Sequence, residues 1–548
     1  IPLAYLLEDE DMIARAKRYI DAIIDRQQED GWICPCSIEE RPRYDIWAHF
    51  LICKVLVVYY ECSGDERIED VLYKALKCLR EHLRSNTLFN WSSARWFECL
   101  IPIYWLYNRV KEGWLLDLAV TLYTQGMNYR NLFDNWRDQE PRPEWSYQTH
   151  VVNLAMALKS QALISRITGE DSDEFAEKMF TMLQEYHGNA VGHFNGDECL
   201  SGKSPIQGTE LCGVVEAMYS YENLFAITGK AKWIDRLEML AFNALPATIS
   251  PDMWTHQYDQ MVNQIACVAF KDSRPFLTNN GEAHLFGLEP NYGCCTANFN
   301  QGWPKFALSL FFRSKSGIVS AALAPCRLNT EINGIPVTIT LDTVYPFRNA
   351  LTYTVKTESP VEFDLDIRIP SWVNSAKIDG NTAEKGKLYR ITRIWSGVST
   401  VEVELDFETR FVERPEELYC LQRGPLVYSL SIEEEWVKKE YTANGVEHKF
   451  PYCDYEIYSK SKWNYAFRSR NITIIENDDF DKPFSSENPP IKIIANMSEI
   501  DWGNEGDWEY VCARVPKNRV PLTEPRPVVL KPYGCTNLRM TEMPLIID

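Results

Sequence analysis

The sequence predicts a multidomain α and β protein with a helical first half and a β-rich second half. Apolar residues recur at helical spacing through roughly the first three hundred residues. After about Ser314 they alternate instead with polar residues, which is the period of a half-buried strand. The 548 residues, 45% hydrophobic and 24% charged, have an ordinary globular composition. This length allows about two to four domains.

The first helices are predicted from apolar spacing and glycine stop signals. Residues 11–28 carry apolar side chains at amphipathic helical spacing. A second helix is predicted over 44–62, ending at Gly64, because glycine suits the left-handed C-terminal cap. The next helix is predicted to begin near Ile68.

The same glycine stop signal recurs at Gly169 and Gly229, each of which follows a predicted helix and precedes another. Repeated pairs of helices joined by short glycine turns indicate stacked helical hairpins. Such hairpins build a bundle, a solenoid or a closed α/α toroid. The repeat is too degenerate to choose among these three.

The second half is predicted to be antiparallel β-structure. Alternation of apolar and polar residues predicts strands over 337–341, 361–369 and 401–407. Turn signals at Asn333-Gly334 and Asp379-Gly380 separate them, which favours a β-sandwich. A second β region is predicted to begin near Phe411.

The charge and cysteine content exclude several classes of protein. A net charge of −20 argues against a nucleic-acid or anionic-membrane partner, since those need clustered basic residues. No apolar stretch is long enough to insert into a membrane. The 16 cysteines are too dispersed for a small disulfide framework, and Cys34 and Cys36 have no clear role. The first residue is Ile1, which is consistent with a targeting signal lost from a precursor.

Two short stretches predict a metal site. Asn291-Tyr292 leads into Gly293-Cys294-Cys295, and Glu210-Cys212 lies upstream. Thiolate and carboxylate ligands suit zinc. Neighbouring residues point to opposite faces of a strand, so the two adjacent cysteines share an ion only if the backbone turns, and glycine permits a turn. Ordinary buried free cysteines are the alternative, because no standard zinc spacing is met.

The upstream pair is predicted to lie at the beginning of a helix. Thr209 is the predicted N-cap, followed by helix through 214–218. A cysteine in a first helical turn has a lowered thiol pKa, which favours the thiolate that a metal binds.

Aromatic and acidic residues indicate a sugar site. The chain has 17 Trp and 28 Tyr, whose faces stack on sugars while their polar groups bond to hydroxyls. The loop 195–199 offers Glu198 as a general acid/base. A solvated acidic turn is the alternative for this loop.

Taken together, these motifs resemble a family of glycoside hydrolases once classed as a domain of unknown function and typified by bacterial β-L-arabinofuranosidases. The matching motifs occur in the family's order and extend over most of the chain. They are Gly196-Asp197-Glu198, Gly208-Thr209-Glu210-Leu211-Cys212, Gly293-Cys294-Cys295, Arg368-Ile369-Pro370-Ser371-Trp372 and Arg423-Gly424-Pro425-Leu426-Val427-Tyr428.

The resemblance implies an architecture. An N-terminal (α/α)6 barrel over 1–313 would carry the active site. Two β-sandwich domains, over 314–410 and 411–548, would follow it. A periplasmic or secreted location is favoured over the cytoplasm, because such enzymes degrade glycans. The oligomeric state is left open.

The resemblance also implies a mechanism and its residues. Zinc would be held by Glu210, Cys212, Cys294 and Cys295. Cys294 would be the nucleophile of a retaining reaction on a terminal pentose of a plant-type glycan, with β-L-arabinofuranose the expected sugar. Glu198 would be the acid/base, which requires a raised pKa. Contacts to the substrate are expected from His150 and Tyr258.

Several alternatives remain at the level of sequence. Asp197 competes with Glu198 as acid/base. The same machinery could act on an acidic pectic pentose or an arabinopyranoside, for which Arg95 or Arg142 would suit a carboxylated substrate. A non-catalytic carbohydrate-binding protein with a structural zinc is a reading of another class. A redox pair at Cys294-Cys295 is a third.

Overall fold

A computed structural model describes residues 1–288 and 293–547, apart from the side chain of Ser273. Asn291 and Tyr292, which open the cysteine motif, lie outside the described residues. The chain forms two compact units. The first comprises Ile1–Arg137 and Ser146–Met182, and the second comprises Asp138–Trp145 and Leu183–Asp548.

The first unit is helical, and helices continue into the second unit as far as residue 308. Within the described residues the α-helices α1 to α15 are, in chain order, Pro2–Leu6, Glu10–Asp25, Trp47–Ser63, Arg67–His82, Asn90–Ala94, Leu100–Val110, Trp114–Gln125, Tyr129–Asp134, Val151–Ala157, Ser160–Thr168, Glu174–His187, Leu211–Thr228, Ala231–Met239, Gly293–Phe299 and Gly302–Leu308. No helix in the described ranges is long and apolar enough to cross a membrane.

The predicted helix ends are confirmed at all three glycines. Gly64, Gly169 and Gly229 are the C-caps of α3, α10 and α12, with φ of 69°, 70° and 66°. A residue with a Cβ is strained in this left-handed conformation, so glycine ends these helices at low cost. The local sequence therefore predicts these three helix ends correctly.

The N-terminal cap of α12 differs from the prediction by one residue. Thr209 lies in a short strand and pairs with Gln260, and its Oγ1 donates to Asn195 Oδ1 at 3.1 Å. The Thr209 hydroxyl therefore bonds outside the helix and does not cap it, and Glu210 is the N-cap. The predicted helix over 214–218 is confirmed within α12, and Cys212 lies in its first turn.

The strands follow mainly after the helices. In chain order β1 to β26 are Thr209–Glu210, His256–Gln257, Asp259–Gln260, Asn263–Gln264, Ala266–Cys267, Phe286–Gly287, Phe311–Arg313, Gly317–Ser320, Cys326–Ile332, Ile335–Thr343, Ala350–Arg368, Val373–Ile378, Asn381–Ala383, Leu388–Phe407, Thr409–Arg414, Leu418–Arg423, Leu426–Ser431, Glu434–Lys439, Tyr441–Ala443, Val446–His448, Asp454–Ser459, Tyr465–Glu476, Ile491–Glu499, Arg526–Pro532, Arg539–Met540 and Met543–Pro544.

The strands β7 to β14 form one hydrogen-bonded sheet. Its order is β13-β12-β14-β11-β10-β9, with β8 parallel to β11 and β7 beside β8. The predicted strands at 337–341 and 401–407 are confirmed inside β10 and β14, and 361–368 of the third lies in β11. Alternate residues of β10 are buried, as the sequence pattern requires. The long β11–β14 ladder shifts register between Thr357 and Val361.

Strands of the C-terminal region pair with short strands of the segment 256–287. In one sheet, β18 and β21 continue through β6 to β2, and β5 also pairs with β21. In another, β25 joins β4 to a sheet built from β15, β16, β17, β22, β23 and β24. The segment 256–287, which carries Tyr258, therefore pairs with two strands of the C-terminal region, β21 and β25.

A buried ion-pair network joins α13 to the eight-stranded sheet. Arg368, fully buried at the end of β11, contacts the carboxylates of Asp235 and Glu238. It also donates from Nε to the carbonyl of Ala321 at 2.6 Å. Glu238 accepts further bonds from the Tyr345 hydroxyl at 2.5 Å and the Leu323 amide at 2.7 Å. The one positive charge of the network thus lies between two carboxylates, and Glu238 is further stabilised by two hydrogen bonds from neutral groups.

We expect Arg368→Ala to lower the free energy of unfolding by about 3–5 kcal/mol, because it leaves two buried carboxylates unpaired. Chemical denaturation followed by circular dichroism measures this change. The matched control is Lys460→Ala, which breaks an ion pair with Glu435 whose side chains are 52% and 49% exposed and should cost only about 0–1 kcal/mol. Equal losses in the two variants would contradict this account of the network.

Candidate active site

Four segments of the second unit bring the predicted site residues together. Glu198 lies on the loop before β1, and Glu210 and Cys212 lie where β1 passes into α12. Tyr258 lies between β2 and β3, and the adjacent cysteines begin α14. The antiparallel pairing of β1 with β3 brings the second and third of these segments side by side.

The three predicted thiol ligands form a cluster. The sulfurs of Cys212, Cys294 and Cys295 all lie within 4.8 Å of one another, and Cys212 Sγ is 3.3 Å from Cys295 Sγ. Cys212 and Cys295 are buried, whereas Cys294 is exposed. The cluster therefore presents a single sulfur to an incoming molecule.

The adjacent cysteines converge through helical geometry rather than through an isolated glycine turn. Gly293 is the first residue of α14, so Cys294 and Cys295 both lie in the first helical turn. Successive residues of a helix are about 100° apart around its axis, whereas in a strand they face opposite sides. This is why both sulfurs reach Cys212.

The three thiols differ strongly in acidity. Hydrogen bonds from Cys212 and Cys295 lower the pKa of Cys294 to about 3, so this sulfur is the thiolate of the cluster. The same bond to Cys294 raises the pKa of Cys212 well above its usual value, and burial does so for Cys295. The ionised sulfur is thus also the exposed one.

Glu210, two residues before Cys212, is a buried carboxyl group. Its Oε1 accepts a hydrogen bond from the Tyr258 hydroxyl at 3.3 Å, and among the described residues its Oε2 has no partner. Burial raises the pKa of Glu210 well above its usual value, and the charges of Glu198 and Asp259 add to that effect. An orphaned buried carboxylate oxygen is costly unless another ligand satisfies it.

Glu198 also bonds to the Tyr258 hydroxyl. One carboxylate oxygen accepts a short hydrogen bond from that hydroxyl, and the other accepts from Trp145 Nε1 at 3.1 Å. The backbone of Glu198 has φ of 97°, a strained conformation for a residue with a side chain. Cys294 Sγ lies 4.0 Å from the same hydroxyl. Tyr258 therefore contacts Glu198, Glu210 and Cys294.

Asp197 occupies a different environment from its neighbour. It is fully buried, and its Oδ2 accepts from the Leu277 amide at 2.6 Å. Its carbonyl accepts from Thr278 Oγ1 at 2.9 Å. Burial raises the pKa of Asp197 to about 6. The Asp197 side chain holds the loop, whereas that of Glu198 bonds to the Tyr258 hydroxyl and Trp145 Nε1.

Sequence reasoning missed Asp259, a fully buried carboxyl group opposite Glu210 in the β1–β3 pairing. Its Oδ2 accepts from Asn279 at 2.8 Å, and burial raises its pKa well above the usual value. A Cβ at Gly208 would lie 3.1 Å from both Asp197 Cβ and Asp259 Cγ, so a side chain there would crowd both carboxyl groups. Asp259 can be identified only from the pairing of β1 with β3, two strands that are distant in sequence.

His150, a predicted substrate contact, lies in the first unit. It is the N-cap of α9, and its Nδ1 accepts from the Asn153 amide at 3.3 Å. Its ring lies 5.2 Å from that of Trp91. Its role in substrate binding stays a prediction.

Two family profiles match the chain. One, described as β-L-arabinofuranosidase, GH127 catalytic domain, matches residues 3–308. The other, described as the GH127 middle domain, matches residues 317–407. Among curated proteins no sequence matches.

Solved structures support the same fold. A structure described as a glycoside hydrolase has 16% identity and a TM-score of 0.68, and the match covers 98% of this chain and 89% of that one. A GH127 β-L-arabinofuranosidase from Geobacillus stearothermophilus T6 has 17% identity and a TM-score of 0.67, covering 100% and 89%. A third, a GH127 β-arabinofuranosidase, has 15% identity and a TM-score of 0.61, covering 100% and 87%.

The matched profiles define the class of protein as a glycosidase, an enzyme that acts on glycans. The catalytic-domain profile alone covers more than half of the chain, so the chain belongs to the GH127 β-L-arabinofuranosidase family. This confirms the family resemblance and its prediction of an enzyme, and it sets aside the non-catalytic reading.

Proposed function

We propose that this enzyme releases a terminal β-L-arabinofuranose from a plant-type glycan with retention of anomeric configuration. Cys294 is the nucleophile and Glu198 is the acid/base. The observation that carries the proposal is that Glu198 and Cys294 both lie near the Tyr258 hydroxyl. This hydroxyl bonds to Glu198 and lies 4.0 Å from Cys294 Sγ. A retaining glycosidase needs a nucleophile and an acid/base close together around the anomeric carbon.

The chemistry of the cluster fits zinc. Three sulfurs within 4.8 Å of one another and the unpartnered Oε2 of Glu210 supply four donors of the types that zinc prefers. Glu210, Cys212, Cys294 and Cys295 would hold the ion. When bound, zinc keeps a ligating thiol deprotonated and supplies positive charge beside the buried carboxylate.

In the first step the thiolate of Cys294 attacks the anomeric carbon and forms a carbon–sulfur bond. The glycosidic carbon–oxygen bond breaks, and Glu198 gives its proton to the departing oxygen. The exposed position of Cys294 leaves its sulfur open to the sugar. The hydrogen bonds from Tyr258 and Trp145 hold the carboxyl group of Glu198 in one orientation.

In the second step the ionised Glu198 removes a proton from water. The resulting oxygen attacks the anomeric carbon, and the carbon–sulfur bond breaks to return the Cys294 thiolate. Two displacements at the same carbon restore the original configuration. The sugar leaves as the free pentose, and Glu198 again carries its proton.

The proposed architecture is an (α/α)6 barrel over 1–313 followed by β-sandwich domains over 314–410 and 411–548. Two observations support these boundaries. The last α-helix of the described residues ends at Leu308, and β7 begins at Phe311. The eight-stranded sheet ends with β14 at Phe407, and β15 of the next sheet begins at Thr409.

The test of the proposed function is turnover of a panel of 4-nitrophenyl glycosides and pectic oligosaccharides, with anomer formation followed by proton NMR. We expect release of L-arabinofuranose, with the β anomer appearing first. The panel includes an L-arabinopyranoside and a carboxylated pentose. Preference for either would replace the sugar in the proposal, and initial release of the α anomer would contradict retention.

Removal of one sulfur is expected to remove the metal. Cys212→Ser should lower zinc affinity at least about tenfold, since even changes to residues that merely support a metal ligand cost about 10- to 100-fold. Elemental analysis after dialysis measures zinc per chain. The matched control is Cys535→Ser, which alters a buried cysteine outside the cluster. Unchanged zinc content in Cys212→Ser would contradict this ligand set.

Tyr258→Phe is expected to lower kcat/KM about 10- to 100-fold, because a hydrogen bond to a charged group contributes about 1.5–3 kcal/mol. The change removes the hydroxyl that Glu198 and Glu210 share and leaves the ring in place. Steady-state kinetics measure the effect. Tyr441→Phe, which removes a hydroxyl bonded to Asp454, should leave the rate unchanged. Wild-type kinetics in Tyr258→Phe would show that the shared hydroxyl is dispensable.

A further inference from the structure

A cavity of about 370 Å³ lies in the second unit, and none of the residues proposed for catalysis lines it. Three segments form its wall. They are the residues that follow β5, two residues of β21, and the loop 507–510. This volume falls within the range typical of pockets for small ligands, about 300–1,000 Å³.

Aromatic side chains supply apolar faces in this cavity. Trp508 is half-buried, and Tyr510 is 44% exposed. The ring of Tyr510 lies 5.4 Å from that of Tyr458 at an interplanar angle of 72°. Tyr510 has φ of 67°, the left-handed conformation that residues other than glycine rarely adopt. Such strain persists where the surrounding structure enforces it, and it concentrates at functional sites.

The loop that carries these rings is fixed at its base. The amide of Glu505 donates to the carbonyl of Val511 at 2.9 Å, and the amide of Trp508 donates to the carbonyl of Glu505 at 3.0 Å. Arg514 Nε donates to the carboxylate of Glu505 at 3.1 Å. The aromatic faces are therefore ordered before any ligand binds, which reduces the entropy cost of binding.

The polar lining combines both signs of charge. Six charged residues line it: Lys271, Asp272 and Arg274 follow β5, Glu456 lies in β21, and Asp507 and Glu509 lie in the loop. Glu456 forms an ion pair with Lys439 at 3.2 Å, whereas among the described residues the side chains of Lys271, Arg274, Asp507 and Glu509 form no hydrogen bond or ion pair. A mixture of free donors and acceptors beside aromatic faces suits a neutral polyhydroxylated molecule, which has apolar faces and hydroxyl groups but no charge of its own.

A segment that lines the cavity also supports the loop that carries Glu198. The segment from Phe270 to Gly281 is closed by a bond from the Phe270 amide to the Gly281 carbonyl at 3.2 Å. Lys271 and Arg274 line the cavity. Further along the same segment, the Leu277 amide donates to Asp197 Oδ2 at 2.6 Å. One segment thus borders the cavity and holds the residue next to Glu198.

We propose that this cavity is an accessory glycan-binding site that takes a neutral oligosaccharide portion of the substrate, separate from the sugar that is cleaved. Trp508 and Tyr510 stack on sugar faces, and charged side chains of the lining bond to hydroxyls. Binding at this site favours longer glycans over minimal ones. This effect on rate rests on the proposed function, whereas binding itself can be measured independently.

The kinetic test compares 4-nitrophenyl β-L-arabinofuranoside with neutral arabinofuranosyl-terminated oligosaccharides of increasing length. The wild-type enzyme should gain at least tenfold in kcat/KM with length. Trp508→Ala should lose that gain and keep the rate on the aryl glycoside, whereas Trp508→Phe, which retains an aromatic face, should keep both. Tyr452→Ala is the matched control, because Tyr452 is 59% exposed and does not line the cavity. An unchanged length dependence in Trp508→Ala would overturn the proposal.

The binding test uses the full chain with Cys294→Ser, alone and combined with Trp508→Ala. Titration calorimetry with a neutral hexasaccharide should show at least tenfold weaker binding in the double variant. If the wild-type enzyme cleaves no glycoside of the panel, the proposed function fails while this titration still decides the accessory site. Equal affinity in the two proteins, or a preference for an acidic oligogalacturonide, would overturn the assignment.

Discussion

Cys294→Ser is expected to lower kcat by about 10⁴-fold or more, the scale of loss seen when a catalytic nucleophile is removed. Serine keeps nearly the same shape but remains a neutral hydroxyl at neutral pH, and an unactivated hydroxyl is a weak nucleophile. Hydrogen bonds from Cys212 and Cys295 lower the pKa of Cys294 within the thiol cluster, and zinc, when bound, would keep the same sulfur deprotonated.

Steady-state and burst kinetics on the best substrate of the panel measure this loss. Cys36→Ser is the control, since Cys36 is partly exposed and lies outside the cluster, in the first unit. It should retain full activity. A Cys294→Ser enzyme within tenfold of the wild-type kcat would rule out the thiolate as nucleophile.

Glu198→Gln is expected to lower kcat about 10²- to 10⁴-fold on glycans, the usual contribution of a general acid/base. The loss should be smaller for a glycoside whose leaving group needs no proton. The first step needs a protonated Glu198, so the wild-type rate falls as pH rises through the pKa of this group. Glutamine does not titrate, so the high-pH limb of the profile should disappear.

Asp197→Asn separates the two neighbouring acids. Asp197 is fully buried and bonded to the Leu277 amide, so its replacement should lower stability while the high-pH limb remains. The pH dependence of kcat/KM, measured for both variants, distinguishes the two assignments. Loss of the limb in Asp197→Asn and its survival in Glu198→Gln would transfer the acid/base role to Asp197.

Features encoded in neighbouring residues could be predicted from the sequence. The left-handed caps at Gly64, Gly169 and Gly229 follow from glycine's freedom at positive φ. The strands around 337–341 and 401–407 follow from alternation, because one face of each is buried. The charge and composition excluded several partner classes for equally local reasons.

Features that depend on long-range pairing could not be predicted. The cap of α12 moved from Thr209 to Glu210 because Thr209 pairs with Gln260, 51 residues later in the chain. The same pairing places Asp259 opposite Glu210. The contacts of the Tyr258 hydroxyl with Glu198 and Cys294 likewise depend on three segments meeting in space.

The backbone conformation of the cysteine motif could not be predicted either, for a different reason. Residue order alone could not decide between a strand with a turn and a helical start, and a helix allows adjacent sulfurs to converge. The cavity proposed for glycan binding is a further case, because Trp508 and Arg274 are far apart in sequence. Neither segment carries a recognisable motif.

The most direct test of the account is intact-protein mass spectrometry after incubation with a cysteine-reactive L-arabinofuranosyl analogue, followed by peptide mapping and zinc analysis. One adduct per chain is expected, located on Cys294, in a protein that contains one zinc ion. The adduct should be absent from Cys294→Ser and should be blocked by free L-arabinose. An enzyme that turns over its substrate and carries the adduct on Glu198, or contains no zinc, would contradict the central claim.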